Sequence, residues 1–199
     1  AVHIGSQIID LAPFEAAFSK VAGLVNKIRD TGIDIRTIDL GGGLGVSYKH
    51  DNATPPSPAE YGEVVKRTVG DLGCKVIFEP GRVIAANAGI LVTKVIYVKP
   101  GETKEFVIVD AAMNDLIRPA MYGAHHDVLP ISEENAGSPK TKMDIVGPVC
   151  ESGDRFVRDA SLAALKEEDL VVFMTAGAYG AVMSSTYNAR PLIPEVLVH

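Results

Sequence analysis

Val76-Ile77-Phe78-Glu79-Pro80-Gly81-Arg82 decides how this chain is read. Three apolar, β-prone residues form a strand of the kind that is normally buried, and the strand ends on a carboxylate and a guanidinium. Both are poor core material. They belong at the mouth of a fold, where the C-terminal ends of parallel strands meet ligands. Pro80 and Gly81 turn the chain there, and Gly81 leaves room for a ligand or another backbone. Taken alone, such a tip makes a salt-bridged loop more readily than a binding site. Two similar strand ends upstream move the reading towards a site.

In residues 1–90 a short apolar strand, a glycine-containing loop and an amphipathic helix recur. Val2 to Ile4 reads as the first strand, followed by Gly5-Ser6-Gln7 and a helix with Phe14, Phe18, Val21, Leu24, Val25 and Ile28 on one face. Ile35 to Leu40 runs into Gly41-Gly42-Gly43. A loop with Pro55, Pro56 and Pro58 then leads to a helix carrying Tyr61, Val64, Val65 and Val69. The third unit is Lys75 to Phe78, the Glu79–Arg82 tip and a short Ala-rich helix through Ala86. Serial β/α units imply a parallel sheet, open or closed into a barrel.

Beyond Gly89 strands follow strands: Leu91 to Val98 and Phe106 to Val109, joined by a turn at Lys99-Pro100-Gly101, then Asp144 to Val146, Leu170 to Met174 and Glu195 to Val198. Residues 91–199 therefore read as a second domain, a mostly antiparallel sheet or sandwich. The stretch from Ala112 to Tyr122 reads as a short helix or a substrate-facing loop. Val2-His3-Ile4 is a strand already under way, and the sequence stops on a strand pattern at His199, so a piece of a longer chain is expected.

With 199 residues and 47% apolar content there is enough material for a real core. A net charge of -6 and a pI near 5.4 argue against nucleic acid or an anionic membrane as the main partner. Two cysteines, Cys74 and Cys150, and no apolar run of membrane-spanning length suggest a reducing, cytoplasmic setting. Cys74 reads as core.

The glycine triplet at a strand end offers unshielded backbone amides, a common way to cradle a phosphate, although its spacing is neither a dinucleotide fingerprint nor a P-loop. His3 and Ser6 add a flat imidazole and a hydroxyl at another strand end. With the Glu79/Arg82 tip, all at C-terminal ends of parallel strands, a shared ligand is the simpler account. No metal is implied: His125 and His126 are adjacent and point apart in regular structure, and no Cys/His pair has zinc spacing.

In this order, His3-Ile4-Gly5-Ser6, Asp39-Leu40-Gly41-Gly42-Gly43, Glu79-Pro80-Gly81-Arg82, Cys150-Glu151-Ser152-Gly153-Asp154 and Ala176-Gly177-Ala178-Tyr179-Gly180 resemble the fold-type III decarboxylases. These amino-acid decarboxylases depend on pyridoxal 5'-phosphate (PLP) and are alanine racemase-like and ornithine decarboxylase-like. Five ordered motifs across nearly the whole chain are a specific match. The resemblance implies the last three β/α units of a PLP-binding TIM-type barrel followed by a mostly antiparallel β-sandwich domain. It implies that His3 stacks on the pyridine ring and that Ser6 and the amides of Gly41, Gly42 and Gly43 hold the phosphate. Glu79 faces the ring nitrogen, where a carboxylate favours the protonated, electron-accepting ring. Gly81 and Arg82 complete the cofactor's surroundings, with Arg82 near the phosphate and the substrate's distal carboxylate.

By the same resemblance Cys150 donates the proton that replaces CO2, since a thiol of ordinary pKa, about 8.5, is largely protonated at neutral pH. Its loop reaches the site of the other subunit, so a homodimer with a shared active site is implied, and Glu151 contacts the distal amino group. Arg118 and Tyr122, in Arg118-Pro119-Ala120-Met121-Tyr122, match the region that grips a far carboxylate, and Tyr187 matches a tyrosine near phosphate and substrate. A surface ion pair is the plainer account of Arg118 alone. Together they point to the branch that turns meso-2,6-diaminopimelate into L-lysine and CO2. A decarboxylase of another diamino or carboxylated amine, and a non-catalytic PLP-binding or subunit-binding relative, are the alternatives. The family's Schiff-base lysine sits upstream of the His-Ile-Gly-Ser motif in a segment without counterpart here, so activity is expected to require an N-terminal barrel half.

Overall fold

A computed structural model describes residues 1–49, 54–132 and 139–198. The chain divides into two units, Ala1–Ser47 with Asp51–Ile84, and Tyr48–His50 with Ala85–His199.

In the first unit, helix α1 (Ala12–Asp30) buries Phe14, Phe18 and Val25 along one stripe, with Glu15 in its first turn and Lys27 and Arg29 in its last, as the helix dipole favours. Helix α2 (Pro58–Val69) starts from a capping box. The Glu60 amide donates to Ser57 Oγ at 3.2 Å, and the Glu60 carboxylate accepts from the Ser57 amide at 2.8 Å. Pro58 is thus the first helical residue rather than part of the loop. The two helices meet over Phe14, Phe18 and Tyr61, whose rings pack edge to face at 5.0 and 5.8 Å. Beneath them strands β1 (Thr37–Asp39) and β2 (Lys75–Ile77) pair in parallel, Ile38 opposite Val76.

The expected strand Val2 to Ile4 does not form a ladder. The Val2 amide donates to Asp39 O at 2.9 Å, but Gly5 (φ +133) and Gln7 (φ 60) then turn the chain away, and contact resumes only at the isolated parallel bridge Ile8–Leu44. Gln7 secures this bend by pairing its side-chain amide with both backbone groups of Val46, at 2.6 and 3.2 Å. Cys74 is half-buried rather than fully core: its sulfur takes a hydrogen bond from Arg29 at 3.2 Å.

Helix α3 (Arg82–Ala85) closes the first unit, and the second runs on through a 3-10 turn (Ala86–Ala88) into β3 (Leu91–Pro100), β4 (Glu105–Val109), helix α4 (Arg118–Tyr122), β5 (Val128–Pro130), β6 (Lys140–Val146), β7 (Arg155–Ala163) and β8 (Leu170–Phe173). These strands form one sheet in the order β5-β8-β3-β4-β6-β7, antiparallel except for β4 and β6, which run parallel with Val107 opposite Ile145. The sheet curls until its edge strands β5 and β7 approach one another. The expected sandwich is therefore a single, mixed, nearly closed sheet. Curling lets one layer of strands bury its own inner face: Val95, Val107, Val109, Met143, Ile145, Val171 and Phe173 are sealed inside, and Phe156 packs on Phe173 at 4.5 Å. Burying such a side chain is worth roughly 1.5–3 kcal/mol. Residues 195–198, expected as a strand, are exposed and unpaired with any described strand.

Strand β7 is bulged. Met143 faces Ala160 while Ile145 faces Val157 and Val146 faces Arg155, so β7 carries an extra residue at each of these two steps, and Asp159 sits at φ 52. The buried Asp144 carboxylate accepts the Asp159 amide at 2.9 Å and is balanced by Lys104 at 2.7 Å and Arg155 at 3.3 Å. Burial pushes the Asp144 pKa up, but the Lys104 hydrogen bond, the Asp159 amide and the two cations together hold it below the ordinary range.

Candidate active site

The first unit brings three of the expected tips together through the backbone. Val2 bonds Asp39, the Leu40 amide reaches Ile77 O at 3.0 Å, and the Glu79 amide reaches Gly41 O at 2.8 Å. The segments carrying His3, the glycine triplet and Glu79 are thereby stitched side by side. The glycines are required by that stitching. A Cβ on Gly41 would collide with Val2 O, one on Gly42 with Glu79 O, and one on Gly43 with Gly5 O. Gly41 and Gly43 also sit at φ +64 and +107, where glycine is strongly favoured. His3 lies against the triplet, its Nδ1 3.2 Å from where a Gly41 side chain would begin.

One expectation is corrected here. The Gly41 amide donates to the Asp39 carboxylate at 2.8 Å, so it is already taken; among the described residues the Gly42 and Gly43 amides donate to no group of the chain. Next to them, Ser6 follows Gly5, and its hydroxyl accepts from Arg82 Nη2 at 3.2 Å. Two undonated amides, a hydroxyl and a guanidinium suit a phosphate, and an imidazole beside bare glycine backbone suits a flat ring above it. The residues fit PLP. Glu79 is exposed, and among the described residues nothing lies within 4 Å of where a Gly81 Cβ would stand, so that space is open to a ligand rather than filled by another backbone.

The second unit holds the other cluster. Arg118 opens α4 and is buried, with 7% of its surface exposed, so it is not the surface ion pair that stood as its plainer account. Its Nη1 meets His126 Nε2 at 2.7 Å, and its guanidinium lies 4.4 Å over the Tyr48 ring. Tyr122, one turn further on, is 64% exposed. Cys150 and Glu151 are exposed on a loop pinned from beneath by the buried Asp154, whose carboxylate accepts the Met113 and Val149 amides at 2.7 Å each. Burial pushes the Asp154 pKa up against those two amides. Tyr187 Oη donates to Glu151 at 2.5 Å, and that carboxylate pushes the phenol's pKa up. A groove of about 450 Å³ lined by Met113, Ile117, Met121, Met183 and Tyr187 adjoins them.

Sequence reading missed the supports of this cluster. Asn114 and Asp115 are buried and tie the segment before α4 to the segment bearing Tyr187: Asn114 Nδ2 donates to Ser185 O at 3.2 Å, and Arg190 Nε donates to Asn114 Oδ1 at 2.9 Å. Asp154 stood inside a quoted motif and could have been found there. Tyr48 and His126 carried no signal beyond the His125-His126 doublet, whose members do part: His125 meets Asp127 at 2.6 Å, while His126 is buried.

A glycine-walled cradle on the first unit and a curled sheet with a buried arginine on the second frame the comparison with known proteins. Residues 8–177 match the family described as pyridoxal-dependent decarboxylase, C-terminal sheet domain, and the chain belongs to it. Among its relatives, the diaminopimelate decarboxylase of Zymomonas mobilis is 52% identical over 198 residues, 100% of this chain and 46% of that protein. The crystal structure of the Helicobacter pylori diaminopimelate decarboxylase complexed with L-lysine superposes with a TM-score of 0.88 at 42% identity, covering 96% of this chain and 46% of that one. A crystal structure from Aquifex aeolicus does so with a TM-score of 0.93 at 44% identity, covering 98% and 48%. The chain spans about half the length of the curated relatives it matches. Among the described residues no helix is long and apolar enough to cross a membrane.

Proposed function

We infer that the intact protein decarboxylates meso-2,6-diaminopimelate to L-lysine and CO2 with PLP as cofactor, and that Arg118 holds the carboxylate that survives the reaction. The observation that carries this reading is the buried, oriented guanidinium of Arg118. A decarboxylase of ornithine or lysine, whose distal end is a bare amine, has no anion there for a guanidinium to bind, whereas a second carboxylate pairs with it through two parallel hydrogen bonds.

PLP, when bound, supplies the electron sink for the pair left behind as CO2 departs. The chain's own residues do the rest. His3 holds the ring and the Gly42 and Gly43 amides its phosphate, with Ser6, Gly81 and Arg82 alongside, while Gly41 shapes the turn through its bond to Asp39; Glu79 keeps the ring nitrogen protonated. Arg118, with Tyr122 and Tyr187, binds the distal carboxylate, Glu151 the distal ammonium, and Cys150 gives its thiol proton to the carbon that lost CO2. The outward presentation of Cys150 and Glu151 supports a homodimer in which this loop serves the partner's site. Residues 1–90 act as part of the PLP-binding barrel and 91–199 as the substrate and dimer domain, in a cytoplasmic enzyme of lysine biosynthesis.

Arg118→Ala tests the assignment. KM for meso-diaminopimelate is expected to rise at least about tenfold, the cost of a lost charge-assisted contact of roughly 1.5–3 kcal/mol. An unchanged KM overturns the carboxylate clamp.

A further inference from the structure

His126 has no part in the roles given above, yet it is among the most deeply buried polar residues of the chain, with 1% of its surface exposed. A buried imidazole needs both nitrogens satisfied. Its Nδ1 lies 2.9 Å from Met174 O, an acceptor only, so Nδ1 carries the proton. Nε2 is then a lone pair, and it takes a hydrogen bond from Arg118 Nη1 at 2.7 Å. The ring is anchored at the end of β8, where the Met174 amide in turn donates to Asp127 O at 2.8 Å. Tyr48 fixes the remaining freedom: its ring stands edge-on to His126 at 5.2 Å and face-on to the guanidinium.

We propose that His126, backed by Tyr48, is a positioning residue that fixes the plane of the Arg118 guanidinium and so sets the affinity for a carboxylate-bearing substrate. Because the imidazole in this contact is neutral, it orients the cation without cancelling its charge, as a carboxylate there would. A guanidinium pairs with a carboxylate bidentately only when their planes align, so an arginine free to swing keeps its charge but loses binding. The inference rests on the reading of Arg118 as the clamp.

Two conservative variants separate positioning from mere structure, because each removes one of the two imidazole contacts. His126→Asn keeps a donor near Met174 O and loses the acceptor for Arg118; His126→Gln keeps an acceptor near the Nε2 position and loses the Met174 anchor. In the intact, PLP-loaded protein, His126→Asn is expected to raise KM for meso-diaminopimelate about tenfold with kcat within about twofold, and His126→Gln to stay within about threefold of wild type in both. Calorimetric affinity for L-lysine, which keeps the distal carboxylate, should fall in parallel, while affinity for cadaverine, which has none, should not change. Equal losses in both variants, or equal losses for L-lysine and cadaverine, overturn the inference. Arg118→Ala supplies the control. If it weakens L-lysine and His126→Asn does not, positioning alone is wrong; if Arg118→Ala leaves L-lysine binding intact, the clamp reading falls and takes the inference with it.

Discussion

Cys150 and Arg118 show opposite ways in which one side chain is made useful. Cys150 is exposed on a loop footed on the buried Asp154, so its position is set by hydrogen bonds of that carboxylate and of the loop backbone rather than by its own packing. Arg118 is packed, stacked and hydrogen-bonded, so its position is set by its own contacts. Cys150→Ala should leave substrate affinity near wild type and lower kcat by 10²–10⁴-fold, the usual range for loss of a proton donor, as read from steady-state lysine formation. A full rate in that variant would end the donor assignment. The motif around Cys150 was legible because polar residues crowd it. Arg118 was legible only through its family context, and its partners Tyr48 and His126 were not, because a tertiary contact joins positions that no local pattern links.

At the scale of elements, the glycine triplet and the bulge in β7 each replace a regular ladder with something the sequence half discloses. Three glycines at a strand end announce a special backbone, but not that each missing side chain makes room for the carbonyl of an adjoining segment. Gly42→Ala is expected to push Glu79 off the triplet, lowering PLP retention on gel filtration and thermal stability together; a variant that keeps both would show that the close approach to Glu79 O is relaxed at no cost. Strand β7 escaped the sequence reading because the extra residue near Asp159 breaks the period-2 pattern and places charged Arg158 and Asp159 in mid-strand. Likewise Val2 to Ile4 has strand composition but, among the described residues, a single backbone hydrogen bond to a neighbouring segment, because glycine and Gln7 bend the chain first. The β/α order of the first half and the strand-rich second half were readable because both rest on hydrophobic period, which is local; the parallel β4–β6 pairing and the curl of the sheet are not.

For the molecule as a whole, stability should carry the signature of Asp144. Its pKa is depressed in the folded state, so its contribution is fully present above the ordinary carboxylate range and is lost as pH falls through the depressed value. Asp144→Asn should therefore lower Tm at pH 7, by an amount reflecting roughly 3–5 kcal/mol for breaking a buried ion pair, with the gap from wild type closing in strong acid. A gap of constant size across pH would mean that the charge is irrelevant and only the bulge amide matters. The central claim concerns what the assembled protein does with a dicarboxylic diamine. Its most direct test is turnover of meso-2,6-diaminopimelate by the intact, PLP-loaded protein, with L-ornithine and L-lysine as competing substrates: the expected result is one L-lysine and one CO2 per diaminopimelate and negligible CO2 from the other two, whereas no CO2 from diaminopimelate, or equal release from all three, would contradict it.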